Sequence, residues 1–262
     1  MKSGDIMNKR LFLKTLGIIG MSSNTLLADS FMSASLDSFS NNKTILSNED
    51  LITSKQILTK LNKVIYYVGH GNFNYISYDY VNNILNKKNL SFTKKEKDFI
   101  DFLFYLKPAS INFYGRRTVS SITNKINKRD LEYIKHAGHF VRKGESLKLY
   151  KEIENEIGKE HIILTSGIRN VPKQLHLFLS KLISVNGNLA TTAHSIAPPG
   201  YSYHSINDFD VGKVDFGLKN FSEAFVHTNE CKQLMNLGYV NIRYSKNNLF
   251  GVRFEPWHIK VS

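Results

Sequence analysis

Three short stretches in the second half of the chain carry the residue types that chemistry requires. In Tyr201-Ser202-Tyr203-His204-Ser205-Ile206-Asn207-Asp208-Phe209-Asp210-Val211-Gly212, a histidine is followed six residues later by an aspartate. If the intervening backbone is extended, that even separation turns both side chains to one face, offering one nitrogen and one oxygen ligand. Asp208 stands as the substitute for Asp210 in that role. In Phe254-Glu255-Pro256-Trp257-His258-Ile259, the Glu and His would face opposite ways on a regular strand. Pro256 cannot donate a ladder hydrogen bond, and the bend expected there would bring Glu255 and His258 round one centre. The third stretch is Thr165-Ser166-Gly167-Ile168-Arg169, expected at a strand end, with Gln174 five residues after the arginine. Two histidines, one aspartate and an open fourth position describe a catalytic site for one Zn²⁺, since a closed structural site takes four protein ligands. Each stretch alone is a weak signal.

The other histidines have plainer readings. His176 lies in the apolar run Leu175 to Leu179 and reads as a core residue, and His227 as a helix-surface residue. His194 falls in a loop that could line a cleft. His136 and His139 are spaced plausibly for a metal, but their nearest carboxylates, Asp130 and Glu132, sit on a charged stretch that reads as solvated. Gly69-His70-Gly71-Asn72-Phe73 and Ala137-Gly138-His139-Phe140 read as turns, with a substrate-facing role as the alternative.

Helices and short strands must position these groups. Ile52 to Asn127 reads as helical, and Lys94 to Leu106 passes from a charged first turn to an apolar face. Ser146 to Ile157 reads as a helix, His161 to Thr165 as a β-branched strand, and Pro172 to Val185 as a helix with proline near its first turn. Ala197 to Tyr203 is a loop, Asn207 to Val211 a short strand and Phe221 to Leu237 one long helix. Val240 to Tyr244 and Val252 to Val261 are closing strands. Without a regular βαβ rhythm, the expected class is α+β: a small antiparallel sheet flanked by helices and carrying the zinc site, with a mainly helical N-terminal extension. The expected organisation is an export signal over 1–28, a flexible leader over 29–50, a helical region over 51–142 and a catalytic domain over 143–262.

Taken together, Ser202-x-His204 running to Asp210, Glu255-x-Trp257-His258, and Ser166-Gly-x-Arg169 resemble the motifs of the VanY/VanX-type D-alanyl-D-alanine carboxypeptidases. These zinc peptidases belong to a wider group with lysostaphin-type enzymes and the hedgehog signalling domain. The resemblance covers roughly residues 145–262, and the Glu-Pro-Trp-His run is its most specific part. The family's His-to-Asp spacing is commonly one residue longer, which a deletion in the connecting turn would explain. The resemblance implies zinc on His204, Asp210 and His258, with Glu255 as proton acceptor. It also implies Arg169 stabilising the oxyanion or gripping a substrate carboxylate, and Gln174 and Ser202 binding substrate or orienting Arg169. Trp257 reads as core. The expected activity is hydrolysis of a terminal D-amino acid from peptidoglycan stem peptides, D,D or L,D. The rival readings are a cross-bridge endopeptidase and a non-catalytic binder of wall peptides.

Composition narrows the classes. The 262 residues are 42% hydrophobic and 22% charged, which excludes wholesale disorder. A single cysteine, Cys231, excludes an internal disulfide and a Cys-x-x-Cys zinc site. The net charge of +13 suits an anionic neighbourhood such as the cell wall. A nucleic-acid role lacks any recognised motif. Lys9-Arg10-Leu11-Phe12-Leu13-Lys14 and the apolar Leu16 to Met21 describe an export signal of twin-arginine or Sec type, too short for a transmembrane span. The expected location is therefore periplasmic or cell-wall associated.

Overall fold

Side-chain caps set where the first helices begin. Ser47 accepts the amide of Asp50 and opens helix α1 (Asn48–Val68), whose first turn carries Glu49 and Asp50. The computed structural model describes residues 44–261, so the expected export signal and most of the leader lie outside the described residues. The end of that leader, from Ile45, is ordered: Ile45 bridges to Asn188 before α1 starts. Helices α2 (His70–Phe73), α3 (Tyr78–Lys87) and α4 (Lys94–Tyr105) follow. Thr93 and Glu96 form a reciprocal capping box at the start of α4.

Helicity then ends earlier than the sequence pattern suggested. A 3₁₀ turn (Pro108–Ile111) stops at Asn112, which adopts the left-handed conformation, and residues 113–127 are irregular. This irregular stretch grips the loop before His204. The amides of Thr118 and Val119 bond the Gly200 carbonyl, and Thr118 Oγ1 bonds the Ser202 carbonyl. The Arg117 guanidinium lies over the ring of Tyr201.

A hairpin of β1 (Leu131–Ile134) and β2 (His139–Arg142), inside the region expected to be helical with a turn at 137–140, precedes helix α5 (Glu145–Ile157). Next come β3 (Ile162–Ser166), α6 (Val171–Ser184) and α7 (Leu189–Ala193). They are followed by β4 (Phe209–Lys213), α8 (Glu223–Val226), α9 (Asn229–Asn236), β5 (Ile242–Tyr244) and β6 (Glu255–Ile259). The single helix expected over 221–237 is broken in two. Ser222 Oγ accepts from Ala224 and Thr228 Oγ1 from Cys231, so each opens a new helix instead of extending the last. The second sheet is antiparallel throughout, in the order β3-β4-β6-β5. The architecture is α+β, with small antiparallel sheets among helices.

Among the described residues the two largest hydrophobic clusters hold these layers. Ile57, Leu61 and Val64 of α1 share one cluster with Leu175, Phe178 and Leu182 of α6. Tyr150 and Ile153 of α5, Leu164, Phe209, Val211 and Trp257 form the other, against the sheet. A fully buried side chain of this size contributes about 2 kcal/mol. Asn170, fully buried, ties the helical region to α6. Its Oδ1 caps Val171, and its Nδ2 bonds the carbonyls of Tyr75, Ile76 and Asn124.

Candidate metal centre and its cleft

The sheet register builds the centre. Asp210 of β4 pairs with Ser166 of β3 on one side and with His258 of β6 on the other, so the three residues form a row across the sheet. Between the pairs Ile242–Ile259 and Tyr244–Glu255, three residues of β6 face the single residue Arg243. This irregularity spans Pro256, where the bend was expected, and it lets Glu255 and His258 face the same space. Their nearest approach is 3.8 Å, between Glu255 Oε2 and His258 Nδ1. His204 arrives from a 3₁₀ turn (Tyr203–Ser205) just before β4.

His204, Asp210 and His258 each offer one ligand atom, and these atoms all lie within 4.8 Å of one another, all three residues being buried. His204 Nε2 is 3.2 Å from Asp210 Oδ2, and His258 Nδ1 is 3.3 Å from Asp210 Oδ1. Hydrogen bonds on the far side of each ring fix which nitrogen carries the proton. His204 Nδ1 donates to the Gly167 carbonyl at 2.8 Å, and His258 Nε2 donates to Asp208 Oδ2 at 3.1 Å. Both inward nitrogens therefore present lone pairs. Asp210 Oδ1 is buried without a hydrogen-bond partner. Arg169 Nη2 meets His204 Nε2 and Asp210 Oδ2, while Asp210 Oδ1 and His258 Nδ1 are left facing one another, a buried pair of acceptors that a cation would satisfy. Two imidazole nitrogens and a carboxylate oxygen, each held by an outer partner, suit a divalent ion such as zinc.

Charge states agree with that geometry. Burial pushes the Asp210 carboxyl up, but His204, His258 and Arg169 outweigh it and hold its pKa at about 2. Burial and Arg169 lower His204 to about 4, keeping the ring neutral. Glu255 is different: burial dominates, only partly countered by His258, and raises its pKa to about 7. It is a buried carboxyl poised to take or give a proton near neutrality.

Asp208, the alternative ligand, lies on the far side of His258. It accepts from Nε of Arg243 at 2.7 Å, from Nη2 at 3.0 Å and from the Val261 amide at 2.9 Å. The Arg243 guanidinium rests on the Tyr203 ring, 3.9 Å from its centroid. Arg169 lies against the centre. Its Nη2 reaches Ser166 Oγ, His204 Nε2 and Asp210 Oδ2 at 2.9, 3.1 and 3.2 Å, while Nη1 donates to Gln174 Oε1. Gln174 is itself anchored on the Ala197 carbonyl. Gly167 admits no side chain, because a Cβ there would stand 1.9 Å from the Phe140 carbonyl oxygen.

A cleft of about 410 Å³ opens over these groups. Arg169, Gln174, Ser202, His204, Asp210, Glu255 and His258, all named from sequence, line it. Ser166, Lys173, His139 and Tyr244 line it too and were not assigned to the site. Trp257 is buried in the sheet core, edge-on to Phe221, and only borders the cleft. His176 bonds Asn62 of α1 and His136 meets Glu154, both away from the cleft. His194 ends α7 and bonds the Gly251 carbonyl, leaving Ser195 and Ile196 on the cleft wall.

A buried His–Asp–His cluster that could hold a metal ion, with a buried carboxyl beside it, makes this cleft the candidate site of the α+β fold. Residues 144–261 match the family model described as VanY, D-alanyl-D-alanine carboxypeptidase. Among solved structures, the chain is similar to a mutant of the vancomycin-resistance D,D-pentapeptidase VanY in complex with Zn(II). The identity is 19% and the TM-score 0.41, over 57% of this chain and 86% of that one. It is also similar to the LdcB LD-carboxypeptidase, at 24% identity and TM-score 0.38, over 57% of this chain and 67% of that one. VanXYg, a vancomycin-resistance D,D-dipeptidase in complex with a D-Ala-D-Ala phosphinate analogue, shares 22% identity at TM-score 0.39, over 46% and 50% of the two chains. No curated protein matches the chain. Among the described residues no helix is long and apolar enough to cross a membrane.

Proposed function

We propose that the protein is an exported zinc carboxypeptidase that removes a terminal D-amino acid from peptidoglycan stem peptides. The observation that carries this reading is the set of inward lone pairs of His204 and His258 facing the unpartnered Asp210 Oδ1, with buried Glu255 alongside. In this reading His204, Asp210 and His258 hold one zinc ion. Zinc there supplies Lewis acidity, bringing a water's pKa towards neutrality and polarising the scissile carbonyl.

The chain's own groups do the rest. Glu255 takes the attacking water's proton and returns it to the leaving amine; burial suits it to both steps because it holds the carboxyl near the working pH. Arg169, braced by Ser166 and Gln174, meets the negative charge that grows on the carbonyl oxygen. Ser202 offers a hydroxyl to the peptide from the cleft wall. Without the export signal read over 1–28 the net charge is +10, which favours residence at an anionic wall.

The test is incubation of the purified chain with tripeptide, tetrapeptide and pentapeptide stems, with and without chelator, read by mass. Loss of one terminal residue that chelator abolishes is the expected result. A cut cross-linked dimer makes the protein an endopeptidase instead. No product from any stem overturns the hydrolytic reading in favour of wall-peptide binding.

A further inference from the structure

The cleft has three long cationic side chains, and two are engaged. Arg169 gives its terminal nitrogens to Ser166, Gln174, His204 and Asp210. Arg253 donates to the Phe221 carbonyl, stands 3.5 Å from Glu255, and lies over the Trp257 ring. Lys173 has neither a hydrogen bond nor an ion pair among the described residues, although it is half-buried and lines the cleft. A half-buried ammonium without a counter-charge is costly to keep. Burial and the nearby Arg169 accordingly lower its pKa to about 8.

His139 lines the same cleft and feels the Lys173 charge. The Asn74 amide nitrogen approaches its Nδ1 at 3.4 Å, and an amide nitrogen only donates, so the ring proton sits on Nε2. Burial, then Lys173, hold the ring's pKa at about 4, so it is neutral and retains a single N–H. An ammonium and a neutral N–H together can meet the two oxygens of a carboxylate.

We propose that Lys173 and the Nε2–H of His139 form a binding site for a free carboxylate of the substrate. The site lies beside the metal centre and selects peptides that carry this charge. The inference rests on the hydrolytic reading above and assigns the carboxylate to Lys173, leaving Arg169 to the carbonyl oxygen. In a stem peptide the carboxylate comes either from the chain terminus or from the free carboxyl of an acidic residue.

The test uses the full zinc-loaded chain with diacetyl-lysyl-D-alanyl-D-alanine as free acid and as C-terminal amide, and with pentapeptide stems whose glutamyl carboxyl is free or amidated. The expected result is that Lys173→Met raises KM for the free acid about tenfold, with kcat little changed, while Lys173→Arg restores most of it. The parent's preference for acid over amide should fall by the same factor. If the preference lost is instead between the glutamyl acid and amide, the site stands and the carboxylate is the side one. If Lys173→Met raises KM for acids and amides alike, or leaves every preference intact, the proposal is overturned. Should the parent cleave nothing, the hydrolytic reading fails separately. Calorimetric binding of the same acid and amide to the parent and to Lys173→Met then decides the carboxylate site alone.

Discussion

Substituting Asp208 by asparagine probes how the centre is held before any ion arrives. The aspartate's Oδ2 receives Arg243 Nε and His258 Nε2, and its Oδ1 receives Arg243 Nη2 and the Val261 amide. An asparagine has one acceptor and one donor in those places. If its nitrogen replaces Oδ2, two donors confront it and His258 must move its proton to Nδ1, onto the inward lone pair. If the nitrogen replaces Oδ1, His258 keeps a bond, but to a neutral oxygen, and Val261 loses its acceptor. Arg243 loses the charge of Asp208 either way. Deleting one partner of a buried ion pair costs about 3–5 kcal/mol. Because asparagine keeps one acceptor, Asp208→Asn should cost about 2 kcal/mol in urea unfolding of the metal-free chain. Zinc affinity, measured by chelator competition, should fall about 10- to 100-fold, the usual effect of losing an outer partner of a metal-binding histidine. Glu230→Gln is the control. It breaks the 2.6 Å pair with Lys213 at the other end of β4 and should lower stability without changing zinc affinity. An Asp208→Asn chain that is destabilised yet binds zinc within about twofold of the parent would refute the account of how His258 is oriented.

Two further outcomes are expected. Glu255→Gln should retain zinc while its cleavage rate falls about 10²- to 10⁴-fold, and His258→Ala should lose both, read by metal analysis beside stem hydrolysis. Hydrolysis at the parent rate by Glu255→Gln removes Glu255 from the chemistry. Far from the cleft, Glu154 accepts from Tyr150 and Lys151 and faces His136 at 3.0 Å. Burial raises its pKa, but Lys151 and Tyr150 outweigh that and hold it below 4.5. A pKa depressed in the folded state gives stability that is present above the unfolded value and lost as pH falls through the folded one. Glu154→Gln should therefore cost about 1 kcal/mol at neutral pH, and its gap from the parent should close as pH falls from 4.5 through the lower folded value. Denaturant unfolding across the range checks this, and an unchanged gap in acid contradicts it.

The groups at the centre were legible because their signals are local. A Glu-Pro-Trp-His run and a Ser-Gly-x-Arg run each sit within one turn or strand end, and proline's missing N–H already marked the irregular strand. What was not legible depends on partners distant in sequence. Asp208 looks like a spare ligand until Arg243, 35 residues on, takes its oxygens from the other side. His139 lies on a hairpin of two four-residue strands, too short for an alternating pattern to stand out from turn composition. Lys173 reads as one more solvated charge, since only the packing of α6 at the cleft wall reveals that it is half-buried and, among the described residues, unpaired. The split of the 221–237 segment was written in Ser222 and Thr228. Both fit a helix-surface pattern as well as they fit caps, and tertiary context decides between the two.

The outer bonds explain why this centre needs more than the residues around it. A histidine ligand is useful only if its free lone pair points inward, and a ring alone only weakly prefers one nitrogen for its proton. Here the preference is imposed from outside: by the Gly167 carbonyl on His204 and by Asp208 on His258. Gly167 can offer that carbonyl only because it has no Cβ to strike the Phe140 carbonyl of the hairpin, while the Ile168 amide bonds that same oxygen at 2.7 Å. The hairpin therefore sets the strand end that aims His204, while residues 117–119 hold the loop that delivers it. Ligand geometry in the 144–261 region thus depends on contacts made before residue 144. A chain cut to that region alone would keep the ligands and lose Phe140 and Thr118, part of what orients them.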